Sequence, residues 1–432
     1  MLHENLSINE KGHLCLAGRD TVELAEKYGT PLYIMDEERI RHNMRVYIRS
    51  MKKYMGTGSG PLLASKACCF TGLYRIANEE GMRTDIVSPG ELYTAVRAGF
   101  PMERAFFHGN NKTDADIAFA MDNGVGYFIA DNREELDAIE REAASRGRRQ
   151  PVLLRLTPGI DPHTQAKIST GKVDSKFGTA IETGQAMELC GYVQELCHIE
   201  LVGFHCHIGS QIFDYKPFSD AADIMLRFIR DYTDRFGAGV KMLNLGGGFG
   251  VRYVESDPAI DYEENIRSLA GEIEKICSSL GIAKPDILME PGRSIVADSG
   301  VTLYTVGSVK TITGYKSYVS IDGGMPDNPR YALYESDYTV LNASRAAAPK
   351  DIAATVAGRC CESGDIIQED VPLARPRRGD KLAVLATGAY NYSMASNYNR
   401  IPRPPVIMLR GDGDEWVAVR RETYEDLCAL DC

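Results

Sequence analysis

The sequence predicts an α/β protein built from a TIM-like (β/α)8 barrel and a mostly antiparallel C-terminal β domain. Its 432 residues, 44% of them hydrophobic, exceed one small domain and suffice for a barrel plus a second domain. Short apolar runs alternate with helix-like segments eight times before residue 300, as expected of a barrel with eight strand–helix units. After residue 300 the apolar runs are β-like and are separated by Gly and Pro.

Residues 1–35 contain two short strand-like pieces, at 13–16 and 31–34, with a small helix predicted between them at 21–28. We expect these strands to join the C-terminal β domain. A helical pattern then runs from Asp36 to about Tyr54, and the glycine-rich residues 56–61 end it. The barrel is therefore expected to begin with the apolar run that follows.

Eight apolar runs are predicted to form the barrel strands. They lie at residues 62–66, 84–87, 105–108, 127–130, 152–156, 201–207, 242–246 and 287–290. The segments between them are amphipathic and charged, as at 133–149 and 261–280, which is typical of the outer helices of a barrel. An open doubly wound sheet is the main structural alternative.

The remaining apolar runs predict a mostly antiparallel β domain. They lie at residues 301–309, 317–321, 351–356, 381–385 and 416–419. The predicted organisation is therefore N-terminal strands at 1–35, a barrel at 36–299 and a C-terminal β domain at 300–432.

The composition excludes several classes of protein. The chain has 49 Lys and Arg against 60 Asp and Glu, a net charge of -11, which argues against nucleic-acid binding. No stretch approaches the roughly 18 consecutive apolar residues of a membrane helix, and the N-terminal residues lack the apolar core of a signal peptide. Eleven cysteines without a CxxC motif indicate reduced thiols. We therefore expect a soluble cytoplasmic enzyme without a nucleic-acid or membrane partner.

The C-terminal ends of the predicted barrel strands, where barrel enzymes keep their active sites, carry suitable polar residues. Lys66 ends the first run, where a partly desolvated ammonium can lose its proton and act as a nucleophile. A lone lysine at a strand end more often only snorkels to solvent. Three glycines, Gly246, Gly247 and Gly248, follow the seventh run and leave backbone N–H groups free to approach an anion. With Arg293 after the eighth run, they predict a phosphate site, although a plain tight turn is the alternative for the glycines alone.

His205 and His207 lie two residues apart and therefore share one face of the sixth strand. Such a pair can bind a metal ion, but a metal site needs further ligands, and none of the eight histidines follows His207. We expect no metal here. His207, nearer the strand end, can lie flat against an aromatic cofactor ring, whereas His205 is expected to be a core histidine.

Glu290 ends the eighth run beside the predicted phosphate site, where a carboxylate needs a cationic partner. A protonated pyridine nitrogen is such a partner, and keeping it protonated makes the ring an electron sink suited to the loss of CO2. A structural contact with Arg293 is the alternative. In the C-terminal domain, residues 360–365 and 388–390 are polar clusters that composition alone does not distinguish from ordinary loops.

Six motifs carry a resemblance to a known family. They are ASKA around Lys66, HIGSQ at 207–211, GGGFG at 246–250, EPGR at 290–293, CESGD at 361–365 and GAYNYSMASNYN at 388–399. From about residue 10 to the C-terminal region, the chain resembles the barrel-fold, alanine-racemase-like decarboxylases that depend on pyridoxal phosphate (PLP). ISTG at 168–171, DSKFG at 174–178 and residues 394–399 are similar to the diaminopimelate decarboxylase branch, rather than to ornithine or arginine decarboxylases.

The resemblance implies PLP as the cofactor and assigns roles to individual residues. On the cofactor side it implies Lys66 as the lysine attached to PLP, His207 as the ring-stacking residue, Ser210 as a phosphate contact, Gly247, Gly248, Gly292 and Arg293 as parts of the binding loops, and Glu290 on the pyridine nitrogen. On the substrate side it implies Arg293, Arg330 and Tyr334 for the distal carboxylate, Cys361 as the proton donor, Glu362 for the distal ammonium, and Tyr390 for both cofactor and substrate. Cys361 and Glu362 would enter the partner's active site, so the resemblance implies an obligate homodimer.

The implied reaction is decarboxylation of meso-2,6-diaminopimelate, a small amino-acid substrate, to L-lysine. Two departures stand out: PDNP at 326–329 replaces an Asn-Asp-Leu-like run, which loosens the alignment of Arg330, and Cys360 adds a second thiol beside Cys361. Decarboxylases of carboxynorspermidine, ornithine or arginine are the nearest alternatives. The two arginines favour a substrate with a second carboxylate, which ornithine lacks. Non-catalytic PLP carriers of this fold resemble the barrel alone, without the domain that holds Cys361 and Tyr390.

Overall fold

A computed structural model describes residues 1–160 and 175–432 of the chain. The chain divides into two compact units. Unit 1 comprises Met1–His42, Val251–Ala259 and Arg293–Cys432, and unit 2 comprises Asn43–Gly250 and Ile260–Gly292. The motif predicted at 168–171 and the start of the one at 174–178 lie outside the described residues, as does most of the loop at 157–180.

The N-terminal part of unit 1 contains short strands around a capped helix. Its elements are β1 (Leu6–Ile8), β2 (Leu14–Leu16), β3 (Arg19–Asp20), α1 (Thr21–Tyr28) and β4 (Leu32–Asp36), followed by α2 (Glu37–Met55). Strands β1, β2 and β3 form a small antiparallel sheet. Helix α1 begins where it does because the Asp20 carboxylate accepts a hydrogen bond from the Val22 N–H over 2.9 Å.

Unit 2 is a closed parallel barrel. Its strands are β5 (Gly60–Ala64), β6 (Arg83–Ile86), β7 (Ala105–Phe107), β8 (Tyr127–Ala130), β9 (Gln150–Thr157), β10 (Thr179–Ala180), β11 (Ile199–His205), β12 (Met242–Asn244) and β13 (Asp286–Met289). The ring runs β9-β11-β12-β13-β5-β6-β7-β8 and closes where β8 pairs with β9, while β10 pairs with β9 outside the ring. The predicted barrel is therefore confirmed over the open doubly wound sheet.

The barrel core and the outer helices follow from the sequence pattern. Leu62, Phe106, Ile129, Leu153, Val202 and Leu288 form a cluster of buried residues, contributed by different strands. The outer helices are α3 (Thr71–Glu79), α4 (Pro89–Ala98), α5 (Asp114–Asp122), α6 (Arg133–Ser145), α7 (Gln185–Val193), α8 (Lys216–Phe236) and α9 (Tyr262–Leu280). Helices α6 and α9 begin after Asn132 and Asp261, whose side chains each cap a backbone N–H of the first turn.

The C-terminal part of unit 1 is mostly antiparallel, as predicted. It contains α10 (Arg293–Val296), β14 (Gly300–Ile312), β15 (Lys316–Ile321), α11 (Arg330–Tyr334), β16 (Val340–Asn342), β17 (Ile352–Ala357), β18 (Ile366–Leu373), β19 (Lys381–Leu385), β20 (Val406–Leu409), β21 (Glu415–Val419) and α12 (Tyr424–Cys428). The sheet runs β18-β17-β15-β14-β4-β20-β21, and β19 pairs with β14 and β16. N-terminal strand β4 lies between β14 and β20, and only the β15–β17 and β4–β20 pairings among the described strands of this sheet are parallel.

Within the described residues, the helices fall short of the length and apolar content that a membrane crossing requires.

Candidate active site

Four polar side chains from the C-terminal strand ends of the barrel meet in unit 2. His108 directly follows β7, His205 ends β11, Asn244 ends β12, and Glu290 directly follows β13. All four are buried, with exposures of 5%, 1%, 0% and 6%. The parallel register brings these ends to one edge of the barrel, so residues far apart in sequence share a site.

Glu290 is the centre of this group. Its Oε1 accepts a hydrogen bond from Asn244 Nδ2 over 2.7 Å and lies 3.0 Å from His108 Nε2. Its Oε2 lies 3.4 Å from His205 Nε2, and the two imidazole rings meet edge to face at 4.9 Å. Asn244 is itself fixed, because its Oδ1 accepts the Gly246 N–H over 2.9 Å.

The protonation states follow from burial and these contacts. Burial lowers the pKa of His205 to about 4 and also lowers the pKa of His108, so both imidazoles are neutral near pH 7. Burial alone would raise the pKa of Glu290, but the contacts with His108 and His205 outweigh it and hold that pKa well below its usual value. The site therefore presents a buried carboxylate held by neutral donors.

Lys66 lies in a 3-10 turn, Ser65–Ala67, immediately after β5. Lys66 is exposed in the single chain, and the partly desolvated ammonium expected from the sequence stays a prediction. The turn is fixed by its neighbours: Ser65 N donates to Asp85 Oδ1 over 3.1 Å, and Ser65 Oγ donates to Glu91 Oε2 over 2.6 Å. Burial raises the pKa of Asp85 well above its usual value, and nearby Glu290 adds to that effect while Lys66 opposes it.

The glycine loop at 246–250 is joined to the HIGSQ segment. Ile212 N donates to Gly248 O over 3.0 Å, and Gly250 N donates to Ile212 O over 2.9 Å. Gly248 has a φ of +141°, and a Cβ there would come within 2.6 Å of Gly209 O, so the loop requires glycine. Ser210 is half-buried.

His207 packs directly against this loop, since a Cβ on Gly246 would lie 2.8 Å from His207 Nδ1. Burial lowers the pKa of His207 well below its usual value, with Lys66 contributing in the same direction. A neutral imidazole can face a planar cofactor ring. Gly247 packs on the Glu290 backbone, Gly292 packs on Ala64, and Ala64 N donates to Pro291 O over 3.1 Å, so the predicted cofactor loops of unit 2 adjoin the Lys66 turn.

Unit 1 contains a second group, built around two buried arginines. Arg293 begins α10, and its Nη1 donates to Tyr253 Oη over 2.7 Å. Its guanidinium carbon lies 4.7 Å from the centre of the Tyr390 ring. Tyr253 belongs to the segment Val251–Ala259 of unit 1. Burial would raise the pKa of Tyr253, but Arg293 and then Arg330 outweigh it and lower that pKa.

Arg330 begins α11 and is 5% exposed. Its Nη1 donates to Tyr338 Oη over 2.9 Å, its Nη2 donates to Ser336 Oγ over 3.2 Å, and its guanidinium carbon lies 4.8 Å from the Tyr253 ring centre. Within residues 1–160 and 175–432, Arg330 forms no ion pair with a carboxylate. A buried cation with neutral partners is an attractive site for an anionic ligand group.

The other predicted substrate residues of unit 1 are placed differently. Tyr390 has a φ of +58°, and the next residue, Asn391, is fully buried, with its Nδ2 3.3 Å from Tyr338 Oη. Tyr334 ends α11 and is half-buried, but the phenols that contact Arg330 are those of Tyr253 and Tyr338. The role predicted for Tyr334 stays a prediction.

Cys361 and Glu362 lie on an exposed loop of unit 1. The loop is anchored by Asp365, whose Oδ2 accepts the Cys360 N–H over 2.7 Å and whose Oδ1 accepts the Met325 N–H over 2.6 Å. Cys361 N donates to Asn399 Oδ1 over 2.8 Å. Burial, followed by Asp365, raises the pKa of Cys360 to about 12, so its thiol stays protonated.

Sequence reasoning missed His108, Asn244, Tyr253 and Tyr338. His108 and Asn244 could have been found, because both stand at predicted strand ends, the place already searched for functional groups. Tyr253 and Tyr338 follow no such pattern.

The comparisons with known proteins identify the family of the chain. The family model described as the pyridoxal binding domain of pyridoxal-dependent decarboxylases matches residues 40–297. The diaminopimelate decarboxylase of Bacillus subtilis (strain 168) is 44% identical over 430 residues, which covers 100% of this chain and 98% of that protein. That of Staphylococcus aureus (strain COL) is 44% identical over 424 residues, which covers 98% of each.

Two solved structures are similar to this chain over nearly its whole length. Diaminopimelate decarboxylase from M. jannaschii in complex with L-lysine has a TM-score of 0.91 and 35% identity, covering 100% of this chain and 99% of that one. The Helicobacter pylori enzyme complexed with L-lysine has a TM-score of 0.86 and 31% identity, covering 95% and 99%.

Proposed function

The chain belongs to the diaminopimelate decarboxylase family of pyridoxal-dependent decarboxylases, and we propose that it converts meso-2,6-diaminopimelate to L-lysine and CO2. The observation that carries the substrate assignment is Arg330, a buried guanidinium whose polar partners are a phenol and a hydroxyl. A substrate with a distal carboxylate would supply the missing anion.

The residues of unit 2 fit PLP. When bound, PLP supplies an electron sink for the electron pair left behind by the departing CO2. Lys66, which is exposed in the single chain, would attach the cofactor covalently. Glu290 would hold the ring nitrogen, His207 would face the ring, and Ser210 with the 246–250 loop would hold the phosphate. The glycine that the loop requires at Gly248 supports this assignment.

On the substrate side, Arg293, Arg330 and Tyr334 bind the distal carboxylate, and Glu362 binds the distal ammonium. Tyr390 contacts cofactor and substrate. As the carbon–carbon bond to the leaving carboxylate breaks, Cys361 donates the proton that takes the place of CO2.

We further propose that the protein acts in the cytoplasm, at the last step of lysine biosynthesis, without a nucleic-acid partner. The excess of acidic residues supports this view, since a net charge of -11 repels nucleic acid. The names of the relatives, all diaminopimelate decarboxylases, support the pathway.

The active enzyme is a homodimer in which Cys361 and Glu362 complete the partner's site. Their exposure in the single chain supports this arrangement, because a reactive pair on a surface loop needs a second surface to shape its site. Mixing Lys66→Ala and Cys361→Ala chains tests it. Mixed dimers contain one intact site, so we expect activity to return to about one quarter of wild type under random assortment. Two inactive variants that stay inactive after mixing would contradict shared sites.

The test of the function is CO2 release from meso-diaminopimelate by the PLP-supplemented protein, with carboxynorspermidine, ornithine and arginine in parallel. We expect release from diaminopimelate alone, with lysine as the product. Release from another member of the panel would change the substrate assignment but not the fold or the cofactor. Bound PLP without release from any substrate would favour a PLP carrier.

A further inference from the structure

We propose that His108 and His205 are positioning residues that hold Glu290 as an anion and reserve one of its oxygens, Oε2, for the protonated ring nitrogen of PLP. This inference rests on the proposed PLP-dependent function. His108 and His205 thereby join the residues that serve the cofactor, and the two oxygens of the Glu290 carboxylate have distinct roles.

Three side-chain nitrogens surround the Glu290 carboxylate. Asn244 Nδ2 donates to Oε1 over 2.7 Å, and His108 Nε2 lies 3.0 Å from the same oxygen without hydrogen-bond geometry. Oε1 therefore has the two closest nitrogen contacts. Oε2 has His205 Nε2 at 3.4 Å, the longest of the three contacts. Oε2 therefore keeps acceptor capacity for a ligand.

The tautomer of His205 follows from the surroundings of its two ring nitrogens. Its Nδ1 is buried and, among the described residues, has no hydrogen-bond partner. A neutral imidazole carries one N–H, and an ionised carboxylate can only accept. The proton of His205 is therefore on Nε2, facing Glu290. Burial keeps His205 neutral, since its pKa is lowered to about 4.

Other charged groups also act on this part of the barrel. Arg155 in β9 and Asp85 in β6 interact electrostatically with Glu290, and Lys66 interacts with Asp85 and His207. Asp85 Oδ1 is held by the Ser65 N–H, and its raised pKa favours the neutral acid, so the negative charge of the site rests on Glu290. Neutral imidazoles orient the Glu290 carboxylate but do not neutralise its charge. The protonated ring nitrogen of the cofactor can then supply the opposite charge.

The test uses the full chain reconstituted with PLP labelled with 15N in the ring, because the 15N chemical shift reports ring protonation independently of turnover. We expect a pyridinium shift in the wild-type holoenzyme. His108→Phe and His205→Phe should move the shift toward neutral pyridine and lower kcat by about 10- to 100-fold, the range for outer-shell partners of a ligating group. KM for the substrate should stay near its wild-type value.

Conservative variants and a distant control complete the test. His108→Gln and His205→Gln restore an N–H donor and should recover the pyridinium shift, whereas a purely structural role would not depend on a donor. His108→Leu and His205→Leu replace the Phe variants if those do not fold. The control is His198→Phe, because His198 pairs with Glu140 at 2.8 Å but precedes β11, at the opposite end of that strand.

A pyridinium shift that persists in PLP-loaded His108→Phe and His205→Phe would overturn the inference. So would stoichiometric Zn2+ in the wild-type holoenzyme that is lost in both variants, because His108, His205 and Glu290 would then be metal ligands. If the histidine variants change the 15N shift as expected but the wild type releases no CO2 from any substrate, the proposed function fails and the inference stands. A wild-type chain that does not bind PLP overturns both.

Discussion

Glu290 in unit 2 and Arg330 in unit 1 are buried charges of opposite sign, with exposures of 6% and 5%. Glu290 is held by two imidazoles and a carboxamide, and Arg330 by a phenol, a hydroxyl and aromatic faces. In both cases the partners are neutral groups that orient the charge without cancelling it.

Lys112 and Glu135 show what the same chain does when a buried charge has only a structural task. Lys112 Nζ lies 2.6 Å from Glu135 Oε1, both side chains are almost fully buried, and the ammonium also donates to two backbone carbonyls. The charges cancel inside the protein. Burying a charge without its counter-charge is costly, so a fold keeps one where a ligand later supplies the opposite charge. The contrast distinguishes ligand sites from structural ion pairs.

The largest expected effect comes from removing the charge of Glu290. Glu290→Gln keeps the size of the side chain but removes the anion that keeps the cofactor ring protonated. We expect kcat to fall by about 10³-fold, the upper range for loss of one preorganised electrostatic group, with little change in KM. The measurement is steady-state CO2 release by PLP-saturated protein.

The matched control is Glu140→Gln, which also removes a carboxylate that contacts a histidine, His198 at 2.8 Å. We expect nearly wild-type turnover from that variant. Equal losses in the two variants would mean that the Glu290 charge has no special role.

Removing the charge of Arg330 should act on binding. Arg330→Gln leaves a polar side chain but removes the cation for the distal carboxylate. A hydrogen bond to a charged group contributes about 1.5–3 kcal/mol, so we expect KM for diaminopimelate to rise by about 10- to 100-fold, with a smaller effect on kcat. Arg345→Gln, which removes an arginine paired with Asp380 at 3.1 Å, is the control and should leave KM unchanged. A drop confined to kcat would contradict substrate binding by Arg330.

The barrel could be predicted because its strands are periodic apolar runs, and each predicted run overlaps an observed strand. The ends were less accurate. The run at 62–66 is the strand Gly60–Ala64, and the run at 201–207 is Ile199–His205. In both cases the candidate functional residue, Lys66 or His207, lies just after the last residue of the observed strand. Strand β18 was missed because Gln-Glu-Asp in its centre hides the apolar alternation.

The structure brings together the predicted residues of unit 2, and in unit 1 it places Arg293 beside Tyr390, but the partners of these residues were not predicted. His205 was expected to be a core histidine, and its burial is confirmed, but its contact with Glu290 depends on strand order, which local patterns do not specify. Tyr253 is harder still. Its segment, Val251–Ala259, belongs to unit 1 although the chain on both sides belongs to unit 2. Composition and periodicity contain no information about such an arrangement.

Asp327 is a buried carboxylate that can be compared with Glu290, because burial favours its protonated form. It is 1% exposed, and it accepts hydrogen bonds from the Tyr304 hydroxyl and, over 3.2 Å, from Gly324 N. Burial raises its pKa to about 7, and the negative charges of Asp365 and Asp322 add to this. The pKa of Glu290 shifts in the opposite direction because its interactions with His108 and His205 outweigh burial.

The last expected effect is on stability. The folded protein keeps the Asp327 proton up to about pH 7, while the unfolded chain releases it near pH 4, so this group makes unfolding easier as pH rises between those values. In Asp327→Asn, the free energy of unfolding should fall less steeply with rising pH, by up to about 1.4 kcal/mol per pH unit. The measurement is the free energy of unfolding in urea from pH 4.5 to 7.5, with the exposed Asp412→Asn as control. If Asp327→Asn and wild type keep parallel pH profiles, Asp327 is ionised throughout, and the proposed difference between the protonation states of Asp327 and Glu290 is wrong.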